Sequence, residues 1–397
     1  MKKVLLLSPF PPTQNPRLLK EYNALLAQGY HVKVIHGEKD KWSSKLNKKS
    51  DKNFIRVGGK PGSILHLLTR VVQKLLTFIS PVEWNYNRVS WLMYFKAIFF
   101  KADLYIGHNL AALPIAAKLA KLHHSKYAFD AEDFYRQIDD DNILGPSFQK
   151  AKYLEDKYLE HAAYLTAASP LIAKYYTFLY PSIHPIVINN VFSNPNLKSD
   201  QYLKQKSQLK LFWFSQTIGL DRGIQTVLEA LGLLKHQPIS LTLLGFISPF
   251  NKQFLIDYAK KQMLELEQLV FLDPVEPNKI FEIASKFDIG LALETGFCLN
   301  NNLALSNKMF TYIASGLAVV ATKTAAQKQF IEKYPNIGKT FGIGDHKYLA
   351  ELLDLYYQDA NLLNKTKANS RSLAIKELNW ENESKKFIKL VNNILNH

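Results

Sequence analysis

The sequence predicts an α/β protein built from two doubly wound parallel sheets, on three observations. Short apolar segments of strand length alternate with amphipathic segments of helix length. The alternation falls into two blocks separated by residues 193–208 (SNPNLKSDQYLKQKSQ), which carry few large apolar side chains and read as a linker. The 397 residues, 47% hydrophobic, suffice for two separate cores.

The first block opens on residues 2–8, an apolar run that stops at Pro9. It is too short for a secretory leader and is expected to be a buried strand. Residues 17–28 place Leu18, Leu19, Tyr22, Leu25 and Leu26 at helical spacing, Gly29 ends that helix, and 31–36 is a second strand. Residues 63–80 form a basic amphipathic helix. Leu65, Leu68, Val72 and Leu76 fall on one side; His66, Arg70, Gln73, Lys74 and Thr77 fall on the other. Together with the aromatic stretch 91–100, this helix suits either a lipid headgroup layer or packing on its own sheet. A strand at 104–107, a helix at 113–122 and a strand at 126–130 follow. A helix from residue 155 then leads into a strand ending at Ser169, and 185–188 is a short last strand.

In the second block, strands are expected at 210–215, 240–244, 270–272, 289–293 and 318–322. The helices between them lie at 223–235, 249–264, 278–286 and 307–315. Ligands of such sheets bind at the C-terminal strand ends, so domains sharing one ligand are expected to face a central cleft.

Composition excludes several classes. The single Cys298 rules out an internal disulfide and a cysteine-rich metal site, and suits a reducing compartment. No apolar stretch approaches the roughly 18 residues of a membrane span. The net charge of +16 is concentrated in residues 1–101, where 18 basic residues against 5 acidic ones leave +13. One face is therefore expected to meet an anionic partner, although the lysines of 39–52, mixed with serine and asparagine, equally suit a solvated loop. Nothing resembles a nucleic-acid-binding module.

The motifs of dinucleotide and P-loop sites are missing: there is no G-x-G-x-x-G after the first strand and no G-x-x-x-x-G-K-[ST]. There is no H-E-x-x-H either, and His123-His124 at a helix end reads as a solvated pair. In SQTIGLDRGIQTVLEAL, Gly219 lies in the loop after a strand, and Arg222 stands at a helix start. It suits a diphosphate there, or is an ordinary loop arginine. In LALETGFCLNNNLALSNKMFTYIASGLAVVAT, Glu294 follows an apolar strand and Ser306-Asn307-Lys308 opens a helix. A lysine in a first turn opposes the helix dipole unless an anion sits beside it. Arg222 and Lys308 would then hold one diphosphate, with Glu294 accepting hydroxyls of the sugar or ribose. Asp130, Glu132 and Asp133 follow a strand end and suit a general base or an acceptor contact. Asp139-Asp140-Asp141 looks like a metal-binding D-x-D but reads as a solvated acidic turn.

These segments, in this order, resemble the GT-B glycosyltransferases, in particular the retaining family 4, also called glycosyl transferases group 1. The likeness runs along almost the whole chain: LLLSPFPPTQNPRLLKEYNALLAQGYHVKVI, GHNLAALPIAAKLA, FDAEDFYR, TAASPLIAKYY, VINNVF, GLDRG, NKMFTYIASGLAVVAT and NWENESKKFIKLVNNIL. It implies two Rossmann-like domains: 1–192 on the acceptor side, joined by 380–397 crossing back to it, and 209–379 binding the nucleotide sugar. It implies that Arg222 and Lys308 bind the donor diphosphate and that His108 lies near the reacting sugar, with Glu294, earlier in the loop, as the substitute for the glutamate the family usually has. Gln216, Gly219, Gly245, Phe246, Asp273, Val275, Asn302, Ser306, Asn307 and Thr311 would line the donor site, and Asn15, Arg17, Glu132 and Asp133 the acceptor side.

The chemistry implied is hexosyl transfer from a nucleoside diphosphate sugar to a saccharide or lipid-linked acceptor, with retention and with no metal or other cofactor. Its setting would be cell-surface polysaccharide or glycolipid synthesis, in the cytoplasm or peripheral on the inner face of the plasma membrane. The family pattern is broken at two places. Thr311 stands where a glutamate precedes the glycine, here Gly316, by five residues, and Leu303 stands at the first glutamate of the usual pair. The alternatives are a weak or inactive scaffold of this fold and a sugar-nucleotide epimerase.

Overall fold

The computed structural model describes residues 1–38, 52–193 and 208–396. The expected linker at 193–208 and the lysine-rich 39–52 lie almost wholly outside the described residues. The chain divides into two compact units. The first comprises Met1–Asn189, Cys298–Asn300 and Glu383–His397, and the second Asn190–Phe297 and Asn301–Asn382.

The first unit is built on seven strands: β1 (Lys3–Ser8), β2 (His31–His36), β3 (Phe54–Arg56), β4 (Leu104–His108), β5 (Lys126–Ala131), β6 (Leu165–Ala167) and β7 (Ile186–Val187). All pair in parallel in the order β3-β2-β1-β4-β5-β6-β7, with Val4 between Val32 and Leu104. Leu5, Leu6, Leu7, Tyr105 and Ile106 are fully buried, as strands covered on both faces require. Helix Pro16–Ala27 starts where Asn15 accepts a hydrogen bond from the Leu18 amide and Pro16 takes the first turn. In the last segment of this unit, Tyr30 donates to Asn392, and Lys126 Nζ donates to the Ile394 carbonyl at 2.8 Å.

Three local expectations change. The helix expected from residue 155 begins at Pro146, whose fixed φ suits a first turn, and runs to Tyr158. Strand β3 and helix Pro170–Leu179, capped by Ser169, add to the elements read from periodicity. Helix Ile64–Ile79 forms with Ser63 as its cap, but the face it turns inward differs from the expected apolar side: Val72 and Leu76 are half-buried, and Arg70, Lys74 and Thr77 stay exposed. His66 and Thr69 are buried, whereas Leu65 and Leu68 are exposed. Polar partners fix this orientation: Arg88 donates to Thr69 Oγ1 at 3.0 Å and Gln73 to the Asn85 carbonyl at 3.3 Å. No helix among the described residues is long and apolar enough to cross a membrane.

The second unit holds β8 (Leu209–Thr217), β9 (Ile239–Phe246), β10 (Leu269–Leu272), β11 (Ile289–Ala292), β12 (Ala318–Thr322) and β13 (Gly338–Phe341). They pair in parallel in the order β10-β9-β8-β11-β12-β13. Counted from its own first strand, the second sheet therefore runs 3-2-1-4-5-6, and the first runs in the same order with a seventh strand added at its end. This order creates a switch point between β1 and β4 in one unit and between β8 and β11 in the other, where α/β sheets hold their ligands.

Helix Asn307–Ser315 lies against β11 through one close approach. A Cβ on Gly290 would stand 2.1 Å from the Tyr312 ring, so the buried ring occupies the space a side chain would need. Tyr312 also donates to the Leu291 carbonyl at 3.0 Å and meets Phe214 edge-on. Gly290→Ala is expected to cost at least about 1–3 kcal/mol through overpacking. Calorimetry of the variant should show a lower unfolding midpoint.

Candidate functional site

The switch point of the second unit is lined by two loops. After β8 the chain turns through Gly219 and Asp221 to Arg222, and Gly223 takes a left-handed conformation (φ 73°) to start helix Ile224–Leu233. Beyond β11 it passes Leu293 and Glu294. A Cβ on Gly223 would lie 3.5 Å from that of Leu293, so the two loops touch. Arg222 is half-exposed and, among the described residues, pairs only with Asp221, at 3.6 Å.

Glu294 is held from all sides. Its Oε1 accepts from Lys308 Nζ at 2.9 Å and from Ser306 Oγ at 2.7 Å, and its Oε2 accepts from Asn301 Nδ2 at 3.1 Å. Its amide donates to Thr322 Oγ1 at 2.9 Å. Burial alone would raise this carboxyl, but the Lys308 ammonium and the hydrogen bonds pull it down to about 2. Glu294, expected to receive sugar hydroxyls, thus commits both carboxylate oxygens to the protein. Ser306, which precedes helix Asn307–Ser315, spends its hydroxyl on Glu294 and leaves the first turn without a side-chain cap. Helix Ile224–Leu233 also begins without one. Two helix N-termini without side-chain caps, beside one arginine and one lysine, make a place suited to a doubly charged anion.

The other expected donor-side residues scatter around this point. Gln216 is exposed near the end of β8, and Gly245 and Phe246 close β9. Asp273 and Val275 follow β10, two strands away from β8 at the same end of the sheet. Asn302 donates to the Gly296 carbonyl at 3.3 Å, and Asn307 accepts from Asn190 at 3.0 Å. Thr311 is buried and gives its hydroxyl to the Asn307 carbonyl at 3.1 Å.

The switch point of the first unit holds a buried ion network. Arg17 Nε lies 2.5 Å from Asp130 Oδ2, and Arg17 Nη1 donates to the Ile188 carbonyl. The His108 ring stands 3.2 Å from Glu21 and 3.4 Å from both Asp130 and Glu132. Thr166 donates to Asp130, and Asn15 donates to Glu132, both at 2.6 Å. His108 is 0% exposed, and of its three acidic neighbours only Glu132, at 19% of its side chain, is open. Burial disfavours a charged imidazole, yet the surrounding carboxylates hold the His108 pKa well above its usual value. Asp130 is pulled down to about 2 against its burial, chiefly by Arg17.

His108, Asp130 and Glu132 also place their ligand atoms within 4.8 Å of one another, as a metal site requires. Arg17 on Asp130 already supplies the positive charge that a cation would bring. Just beyond, Asn300 clamps the chain, donating to Asp133 at 2.9 Å and accepting from the Phe134 amide at 2.7 Å. Burial pushes the Asp133 carboxyl up to about 6. Asn109 next to His108 has φ 65° and ψ 151°, a conformation that ordinarily belongs to glycine. Neither Glu21 nor Asn301 stands out in the sequence as a site residue. For Glu21 the available signal was its place four residues after Arg17; for Asn301 there was none.

The Glu294 carboxylate stabilises the fold fully above its unfolded value of about 4.5, and this contribution disappears as pH falls through about 2. Glu294→Gln should therefore flatten the acid limb of the stability profile and cost on the order of 3 kcal/mol at neutral pH, read by denaturant titration. In nitrogen NMR spectra the His108 ring should remain an imidazolium at pH values where an ordinary histidine is already neutral. Glu21→Gln should bring that transition down.

No family model matches the sequence, and no curated protein is significantly similar to it. Solved structures do match the fold. HepE of Anabaena in complex with UDP is 15% identical, with 99% of this chain and 100% of that one covered at a TM-score of 0.69. It has also been solved with UDP-glucose, and with UDP and glucose. A sucrose-phosphate synthase of Thermosynechococcus elongatus is 15% identical, with 99% of each chain covered and a TM-score of 0.72. A glycosyltransferase of Rickettsia africae is 16% identical, covering 99% and 98%, at 0.68. The two parallel-sheet units thus have the GT-B fold expected from the sequence.

Proposed function

We propose that this GT-B chain is a glycosyltransferase, carrying a sugar from a nucleoside diphosphate sugar to a saccharide or lipid-linked acceptor. The observation that carries the proposal is the pairing of Arg222 and Lys308 with two uncapped helix N-termini at the β8–β11 switch point. The UDP and UDP-glucose complexes of HepE, a protein of the same fold, support a nucleotide sugar as the ligand.

In the reaction, the bond between the anomeric carbon and the diphosphate breaks and its electron pair leaves with the diphosphate oxygen. Arg222, Lys308 and the helix amides stabilise the charge that develops there, so no metal is required. The acceptor hydroxyl attacks from the same face, with retention, and its proton passes to the departing diphosphate. Glu294 acts by positioning the Lys308 ammonium. Glu132 and Asp133 orient acceptor hydroxyls, and the buried His108 holds Glu132 in place. The acceptor's setting is cell-surface polysaccharide or glycolipid synthesis, at the cytoplasmic side of an anionic membrane that the basic first quarter of the chain favours.

A second reading, donor binding without turnover, is favoured by Thr311, whose hydroxyl is already spent within its own helix. It predicts retained donor binding and no product across a panel of acceptors. Conversion of donor without any acceptor would instead mark an epimerase.

Arg222→Ala is the cleaner test, because it leaves no buried partner behind. It should weaken UDP-sugar binding about tenfold to a hundredfold, measured by calorimetric titration. Unchanged affinity in both Arg222→Ala and Lys308→Ala would remove the proposed donor site.

A further inference from the structure

We propose that the outward face of helix Ile64–Ile79 is a docking surface for an anionic phospholipid layer. An ordinary amphipathic helix turns its apolar stripe to the core. This one leaves most of its large apolar side chains exposed. Ile64, Leu68, Val71, Leu75, Phe78 and Ile79 recur at spacings of three and four and form one continuous stripe. All six are more than half exposed, with Ile64 at 78%, Phe78 at 86% and Ile79 at 80%. On the opposite side His66 and Thr69 are buried, at 8% and 1%. The hydrogen bonds from Arg88 to Thr69 and from Gln73 to Asn85 hold the side bearing His66, Thr69 and Gln73 inward, with Val72 and Leu76 half-buried beside it, so the outward stripe is built into the fold.

The charges beside the stripe select the occupant. Arg70 and Lys74, both exposed and one turn apart, flank it, and the helix contains no acidic residue. Residues 1–101 carry a net charge of +13. A second copy of this chain would bring like charges together, whereas anionic headgroups neutralise them while acyl chains accept the apolar stripe. The sixteen-residue helix spans about 24 Å, short of a bilayer crossing, and so lies in the plane of the interface. This assigns a specific surface to the membrane association in the proposed function and rests on that part of it alone.

The test is flotation of the full chain, without donor, on vesicles of phosphatidylcholine containing phosphatidylglycerol and on vesicles of phosphatidylcholine alone. The unaltered chain should float with the anionic vesicles at low salt and be released in part by high salt. The double variant Leu75→Asp, Phe78→Asp should lose at least about tenfold in bound fraction. The double variant Arg70→Glu, Lys74→Glu should lose the preference for phosphatidylglycerol. All of these residues are exposed, so the variants should unfold at the temperature of the parent. Three results would overturn the proposal: no flotation of the unaltered chain, flotation undiminished in the apolar variant, or a dimer in sedimentation that the apolar variant dissolves. A parallel thermal-shift titration with UDP-glucose keeps the two proposals apart. Loss of donor binding with flotation intact would sink the glycosyltransferase assignment only, and the reverse pattern would sink only the docking surface.

Discussion

Helix Asn307–Ser315 reaches its place in the second unit because position 290 carries no side chain. The Tyr312 ring fills the space left above Gly290 and anchors its hydroxyl on the next carbonyl of β11. That contact fixes the height of the helix over the strand, and with it the places of Ser306 and Lys308 relative to Glu294. The ion pair, the uncapped first turn and the depressed Glu294 pKa all follow from it. A helix displaced by the radius of one methyl group would part the lysine from its carboxylate.

The two units handle buried charge in different ways. In the second, one carboxylate meets one ammonium and two neutral donors, and the result is a locked group with a single protonation state over a wide pH range. In the first, one arginine and one histidine are shared among three carboxylates, none of which has an exclusive partner. Such a shared network resists the loss of any one member less predictably, because the remaining charges redistribute. Its reach to solvent is through Glu132, so whatever the network does chemically passes through that carboxylate.

Much of the architecture was legible in the sequence, because parallel strands buried on both faces are continuous apolar runs and their helices keep a clear period. Residues 31–36, 307–315 and 318–322 coincide with their elements to the residue. The positions of Arg222 and Lys308 at helix starts were legible for another reason: a cation at a helix start is an electrostatic anomaly visible without coordinates. Periodicity did not say which face of helix Ile64–Ile79 turns inward. Its pattern is strongly amphipathic, and only the partners Arg88 and Asn85 decide the orientation. Glu21 stayed hidden because a glutamate among alternating leucines looks like a solvated residue until Arg17 and His108 close over it. Nor could pattern alone reveal that Glu294 is saturated by Asn301, Ser306 and Lys308, since that depends on three side chains converging from a loop and a helix start.

The composition of the first unit has a consequence for how the chain matures. Two of its parts, Cys298–Asn300 and Glu383–His397, are encoded far downstream of the rest. The sheet β1–β7 can assemble on the ribosome while the second unit is still being made. Asp133 and Phe134 nevertheless wait for Asn300, and Asn189 waits for Glu383, which accepts its amide at 2.9 Å. The unit that is translated first is thus the one completed last, and a nascent chain stalled before residue 298 exposes an unfinished surface to chaperones and proteases. Cutting the gene at the apparent domain boundary would reproduce that unfinished state permanently.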